Sequence, residues 1–399
     1  MSPDSFAETI EAHGCSISLR RLNGPDAQEL FFSCQPPTGA TDASTQAAGI
    51  YRAIGDTLAA EGGSFDSVVL ETVFLSNLAD IGAVREARQQ VLAAREEMCN
   101  PAIAEIQQPP LNQGARLEVL VQAVVPNELT QRFEPIEAQP GCACAECARS
   151  HGLRVHVGEE TRFYAGGIYG GGEDAYQQTL AMFEAAEALL QKAGMVFSDV
   201  MRTWIYFPEM ERDYADFNRA RRDFFETRGI DPIPASTGIG AGLIPLEHNV
   251  CLGIYAVKSD PPTRRVVMTT PTLNEAPVYG SDFSRGMRIR ETNKVALHIS
   301  GTASLDEAGR TVHLDDFDAQ VDRMLVNVAA LLEEQGAGFG DVVCAITYLK
   351  HPEDAQRLCQ KFREAGYEGF PNVLVEAEVC RPELLCETEA LAVLPRGAS

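Results

Sequence analysis

One pattern recurs three times along the 399 residues, and it limits the fold more than any composition does. A helical stretch ends in Gly-x-x-Phe, a β-branched strand follows, then a second helix, a Pro-led extended segment and a closing strand. In the first copy the helix covers Thr45 to Gly62, with Ala47, Ile50, Ile54 and Leu58 at helical spacing. The strand Gly63 to Phe74, a helical pattern over 84–97, Pro101-Ala-Ile and the strand Gly114 to Val125 complete it. The second copy runs from Gln177 through Gly194-Met-Val-Phe197, Met201 to Phe207, Tyr214 to Arg228, Pro234-Ala-Ser and Asn249 to Val257. The third takes Gln320 to Gln335, Val343 to Leu349, Pro352 to Ala365, Pro371-Asn-Val and the strand around Glu387.

Strands interleaved with helices on a repeating plan predict an α+β unit, a mixed sheet backed by two helices. Three such units in tandem predict an intrachain pseudo-trimer, either as a monomer or as a homo-oligomer of it. The expected divisions are units at 1–127, 156–258 and 279–399. A Cys-rich linker at 128–155 and a second linker at 259–278 join them.

A net charge of -24 argues against nucleic acid or an anionic membrane surface as partner. It also means that an anionic substrate would need a local cluster of Arg and Lys. No uninterrupted apolar run approaches membrane-spanning length. Met1 to Ile10 carries Asp4 and Glu8 and no apolar core, so no secretory leader is expected. Eleven cysteines, an odd number, fit reduced thiols and a cytoplasmic location better than a disulfide framework. Four soft ligands fall close together at Cys142, Cys144, Cys147 and His151. They could hold a structural zinc ion or belong to a plain solvated linker.

The densest chemistry lies in Val379-Cys-Arg-Pro-Glu-Leu-Leu-Cys-Glu-Thr-Glu-Ala390. If this segment is extended, Glu387 and Glu389 project to one side and Thr388 to the other. Arg381 either pairs with Glu383 or stands free to bind a carboxylate. On the strand of the second unit, Arg202, Trp204 and Tyr206 alternate onto one face, and Tyr348 with Lys350 occupy the parallel place in the third. Thr237 and Gly238 read as a turn where a backbone N–H can approach an anion.

Each unit resembles the RidA (YjgF) fold, the first most openly through Pro101-Ala, Pro110-Leu and Gly114-Ala-Arg-Leu-Glu-Val. Units two and three resemble the narrower chorismatase family. The likeness rests on Arg202-Thr-Trp-Ile-Tyr206, Tyr214-Ala-Asp-Phe-Asn-Arg-Ala-Arg221, Pro234-Ala-Ser-Thr-Gly-Ile-Gly240, Ile299-Ser-Gly-Thr-Ala303 and Cys380-Arg-Pro-Glu-Leu-Leu-Cys-Glu387. It covers roughly residues 160–396, and residues 1–150 depart toward the RidA pattern.

The resemblance implies an enzyme of secondary metabolism that releases pyruvate from chorismate, with no metal or cofactor required. By the same resemblance Glu387 is the general acid, and Arg381 and Arg221 anchor substrate carboxylates. Arg202, Tyr206, Thr237, Gly238, Tyr348 and Lys350 complete the substrate contacts; Lys350 departs from the Arg expected there. Gly301 and Cys380 match the pair that directs the ring to 3-hydroxybenzoate. Only the third unit carries the Arg-to-Glu arrangement, so one competent site is expected, between units two and three. The rival readings are a RidA-type imine deaminase using Arg381 and a non-catalytic metabolite-binding scaffold.

Overall fold

The computed structural model describes residues 7–97, 101–127, 133–137, 151–260, 262–276 and 282–396. Unit one comprises β1 (Glu8–Ala12), β2 (Cys15–Asn23), β3 (Ala27–Gln35), α1 (Ala43–Ala60), β4 (Val68–Leu75), α2 (Ile81–Arg95), β5 (Ala102–Gln107) and β6 (Leu117–Pro126). Unit two has β7 (Phe133–Glu137), β8 (His151–Val157), β9 (Glu160–Ile168), α3 (Ala175–Lys192), β10 (Val200–Phe207), α4 (Met210–Arg228), β11 (Ala235–Gly240) and β12 (Cys251–Ser259). Unit three has β13 (Arg264–Val267), β14 (Gly286–Arg290), β15 (Lys294–Ala303), α5 (Phe317–Glu333), β16 (Val342–Leu349), α6 (Ala355–Ala365), β17 (Asn372–Glu376) and β18 (Cys386–Pro395).

The three six-stranded sheets share one strand order, β1-β2-β3-β6-β4-β5 and its equivalents. The Pro-led segments become β5, β11 and β17, each parallel to the strand before its preceding helix, while the other ladders are antiparallel. Caps fix where the first helix of each unit begins. Asp42, Asp174 and Asp316 accept from the backbone N–H groups of Thr45, Gln177 and Ala319, which satisfies an orphan donor of the first turn.

Two segments read as linkers instead supply strands. β7 is a five-residue edge strand interrupted by Pro135, and β13 is Arg-Arg-Val-Val. Neither has enough apolar alternation to announce itself, and an edge is where Pro is tolerated. No helix among the described residues is long and apolar enough to cross a membrane.

Backbone hydrogen bonds stitch every pair of units. Gln107 and Gly242 exchange both bonds between units one and two, and Gly240 N–H donates to Glu378 O between units two and three. Leu111 N–H donates to Leu374 O, and Glu376 N–H to Pro109 O, between units one and three. Gly166 is required at one of these joints, because a Cβ there would lie 2.4 Å from the Ile103 carbonyl.

A buried charge cluster joins all three. Arg162 of unit two reaches Glu29 of unit one at 2.9 Å and Glu291 of unit three at 2.8 Å, with Glu160 at 3.1 Å. Lys294 of unit three completes it at 2.6 Å from Glu29. None of these side chains is more than 4% exposed. The cations hold the Glu29 carboxyl down to about 2 against the upward push of burial.

Arg162→Ala is therefore predicted to cost about 3–5 kcal/mol, because three carboxylates lose their main counter-ion in a dry site. Arg219→Ala, which removes an exposed ion pair to Asp216, is predicted to cost less than about 1 kcal/mol. Urea midpoints of the two variants beside the parent chain check the contrast.

Candidate active site

β18 sets the site through its alternation. Cys386, Ala390, Ala392 and Leu394 enter the apolar core of unit three, so the odd-numbered residues Glu387 and Glu389 face the neighbouring units, as strand geometry requires. The two carboxyls meet different surroundings. Glu389 accepts from Arg202 Nη2 at 2.8 Å, Trp204 Nε1 at 2.8 Å and Tyr348 OH at 3.2 Å. Glu387 is 4% exposed and opens onto a cleft of about 620 Å³ between units two and three. Burial and the Glu389 charge push its carboxyl up to about 8, against the pull of Arg285, Arg202 and Arg381. A carboxyl raised this far favours its neutral form at neutral pH.

Gly301 makes room for that acid. A Cβ at this position would lie 1.9 Å from Glu387 Oε1. The glycine sits at a register shift in the β15–β18 ladder, where an irregular strand re-aims side chains. Its N–H donates to Thr237 Oγ1 at 2.9 Å, and that hydroxyl also accepts from Arg202 Nη2. Arg202, Thr237, Gly301 and Glu387 thus form one chain of contacts across the joint between the units.

Three guanidinium groups line the cleft: Arg221 on α4, Arg285 before β14, and Arg381 before β18. Arg221 is 3% exposed, bonds Asn218 Oδ1 at 2.7 Å and lies over the rings of Phe217 and Phe283. The neighbouring Asp223 accepts from Tyr176 instead. Arg381 donates to Gly309 O at 2.8 Å and Thr311 Oγ1 at 3.3 Å, while Glu383 accepts from Thr311. Three cations against one neutral acid make the cleft a local positive field in a chain of net charge -24. Cys380 lines the same cleft, and burial pushes its thiol up to about 12, so it stays protonated.

Glu387, Cys380, Arg381, Arg221, Gly238 and Gly301 are thus brought together around one space. Thr237 stands behind it, and with Gly238 it belongs to the regular strand β11 rather than to a turn. The parallel ladder to β10 absorbs both residues. Arg202 and Tyr206 do alternate onto one face, but that face lines a different, larger cavity. Tyr348 spends its hydroxyl on Glu389, and Lys350 Nζ donates to the Pro382 carbonyl. Cys142, Cys144 and Cys147 lie outside the described residues, as does the side chain of His151. Among the described residues no three His, Cys, Asp or Glu side chains are grouped to hold a metal ion.

Arg285 is the residue that sequence reasoning missed. It is 2% exposed, stands over Phe283 and donates from Nε to Asn274 O at 3.1 Å. A single Arg before a short strand carries no sequence sign that it will be buried.

The register explains why the three units differ. The seventh residue of β4, β10 and β16 pairs with Glu118, Cys251 and Glu387 respectively. Unit one therefore does carry a carboxyl at the Glu387 position, buried and pushed up to about 7 by desolvation. Asn112 stands six residues before it, where Arg381 stands before Glu387, and donates to Glu118 Oε2 at 2.7 Å. Unit two has a thiol there instead, so the full Arg-to-Glu arrangement occurs once.

The model of the endoribonuclease L-PSP family matches this chain three times, over residues 30–125, 161–258 and 274–394. A 3-hydroxybenzoate synthase of Streptomyces hygroscopicus is 27% identical over 244 residues, 54% of this chain and 69% of that protein. A RutC family protein of Pyrococcus abyssi is 31% identical over 97 residues, 24% of this chain and 76% of that protein. Among solved structures, a chorismatase crystal structure superposes with a TM-score of 0.59 at 18% identity, covering 82% of this chain and 93% of the other. That likeness is one of fold. With three matched segments filling most of its length, the chain belongs to the endoribonuclease L-PSP family, whose unit it carries in three tandem copies.

Proposed function

We propose that this chain cleaves the enolpyruvyl ether of chorismate to pyruvate and 3-hydroxybenzoate. The observation that carries the reading is the buried carboxyl of Glu387, pushed up to about 8 by burial and the Glu389 charge, facing a cleft lined by Arg221, Arg285 and Arg381. Protonating the methylene carbon of an enol ether places a positive charge on the ether carbon. A water oxygen adds there, the ether C–O bond breaks to free pyruvate, and loss of the other ring hydroxyl with the hydrogen of the neighbouring ring carbon returns one water and leaves the aromatic acid. Glu387 delivers that proton and, once ionised, stands as the counter-charge to the cation it has made. Chorismate carries two carboxylates, and the forked donors of the three Arg side chains suit them. The two products together contain every atom of chorismate, so the reaction consumes no redox partner.

The name of the Streptomyces relative supports the aromatic product. So do Gly301 and the neutral Cys380 thiol on the cleft wall. Gly301 leaves Glu387 unobstructed, and Cys380 adds a small apolar surface with no thiolate to compete as a base.

Purified protein incubated with chorismate is expected to release pyruvate, read with a coupled dehydrogenase, together with 3-hydroxybenzoate identified by chromatography. Glu387→Gln should abolish both. Pyruvate no faster than the spontaneous background would overturn the reading and turn attention to imine substrates. Pyruvate with a non-aromatic dihydroxy acid would overturn the product assignment alone.

The pH dependence follows from the raised carboxyl. Glu387 must be protonated to act, so kcat/KM is expected to be level up to about pH 8 and to fall tenfold per unit above it. Because the folded state holds this proton more tightly than the unfolded chain, stability drains away as pH rises from about 4.5 to about 8. Glu387→Gln, which is neutral throughout, should therefore be inactive yet gain on the parent chain in urea midpoint across that window.

Gly301→Ala is predicted to lower kcat by at least about tenfold while KM moves less, since its methyl displaces the acid and leaves the Arg side chains in place. Equal loss in kcat and gain in KM would argue against that placement.

A further inference from the structure

A second, larger space of about 1010 Å³ lies where the three sheets face one another. It is built from the same register positions of every unit. Leu70, Arg202 and Cys344 are equivalent on β4, β10 and β16, and they pair with Gln122, Tyr255 and Leu391. All six residues line the space. The equivalence of position is not matched by equivalence of chemistry. Unit one offers Phe31, Leu70 and Leu120 beside Thr72 and Gln122, a mostly apolar wall. Unit two offers Tyr164, Arg202, Trp204 and Tyr255, which are flat rings and donors. Unit three offers Glu389 and His298.

Two buried donors on the unit-two wall lack acceptors. Arg202 is 2% exposed, and its Nη2 serves Glu389 and Thr237, but Nη1 has no hydrogen-bond partner. Tyr164 is 1% exposed and its hydroxyl has no acceptor, its charged neighbour Arg162 being able only to donate. Arg202 and Tyr164 sit in one row across the sheet, both register partners of Tyr255 on the strand between them. Buried donors of this kind call for an acceptor. A large, mostly apolar cavity with a few convergent polar groups is the common form of a small-molecule site.

The charges select the class of occupant. Arg202 is already matched by Glu389, and Lys294 by Glu29 and Glu291. His298 is neutral, since burial and the two cations press it down to about 3. No positive charge is left over for an anion, and burying an uncompensated one is costly. The walls are flat: Tyr164 and Tyr255 lie 5.0 Å apart between ring centres, and His298 stacks on Tyr255 at 5.4 Å.

We propose that this inter-sheet cavity is a second binding site, separate from the Glu387 cleft, for a small uncharged aromatic molecule whose carbonyl or phenolic oxygen accepts from Arg202 and Tyr164. Arg202 is the point of contact between the two sites, through Thr237 to Gly301.

Trp204 is the sole tryptophan of the chain and lines this cavity, so its emission reports occupancy directly. Benzamide serves as the probe, with benzoate as the charged analogue. Titrating benzamide into the full chain is expected to give a saturable change in Trp204 emission, with benzoate at least tenfold weaker. Gly253→Val should abolish it. A Cβ at Gly253 meets the Trp204 ring at an ordinary 3.5 Å, so the added side chain occupies the cavity without a forced clash. Leu120→Phe fills the same space from unit one and covers the event that the first variant folds poorly. Tyr164→Phe, which removes a donor and no volume, should weaken binding several-fold. Glu387→Gln should leave the titration unchanged. No saturable change in the parent chain would overturn the proposal, and so would a response that survives both filled variants. An equal response to benzoate would overturn the uncharged class, and loss of binding in Glu387→Gln would place the probe in the cleft instead.

Discussion

The contact between Arg202 and Glu389 sets the surroundings of the acid two residues away. Glu387 and Glu389 leave β18 on the same side, both buried, and two like charges at that spacing in a dry joint repel. The guanidinium of Arg202, with Trp204 and Tyr348, takes Glu389 as its anion. Glu387 then has burial and a fixed negative neighbour acting on it in the same direction, and it keeps its proton. Separating two carboxyls into one charged and one neutral is the usual way a fold obtains an acid at neutral pH. Here the separation comes from a residue of another unit. Arg202 also holds Thr237, and Thr237 holds the backbone of Gly301, so the same side chain that pairs with one carboxyl fixes the floor beneath the other.

Much of this architecture can be read along the chain, and the reason is periodicity. The helices, the Gly-x-x-Phe turns and the Pro-led strands recur in order, and a recurring order is hard to obtain without a recurring fold. The alternation of β18 correctly puts Glu387 and Glu389 on one face, and that of β10 does the same for Arg202, Trp204 and Tyr206. What alternation cannot state is which neighbour the face meets. Arg202 and Tyr348 read as substrate contacts, yet both meet Glu389. Lys350 reads as a substrate contact, yet it closes its own loop on Pro382. Arg285 is missed because it has no pattern around it; tertiary packing, with Phe283 and the Asn274 carbonyl among its contacts, buries it. The edge strands β7 and β13 are missed for a related reason, since their pairing partners supply what their own sequences lack.

Joining three units in one chain has a chemical consequence. In a symmetric trimer of identical subunits, a residue at a given register position appears three times around the centre. The position of Arg202 would then hold three guanidinium groups and that of Glu389 three carboxylates, all desolvated and facing one another. Such a ring costs more than its ion pairs return. In the tandem chain the Arg202 position is Leu70 in unit one and Cys344 in unit three, and the Glu389 position is Leu120 and Gly253. One cation and one anion therefore meet at these positions, in place of two rings of like charge. The same freedom acts at the Glu387 position, where unit one has Glu118 without the Arg and unit two has Cys251 with neither. A single asymmetric joint, with an acid on one side and the residue that governs its neighbour on the other, is available to this fold only after the threefold equivalence of its sequence has been broken.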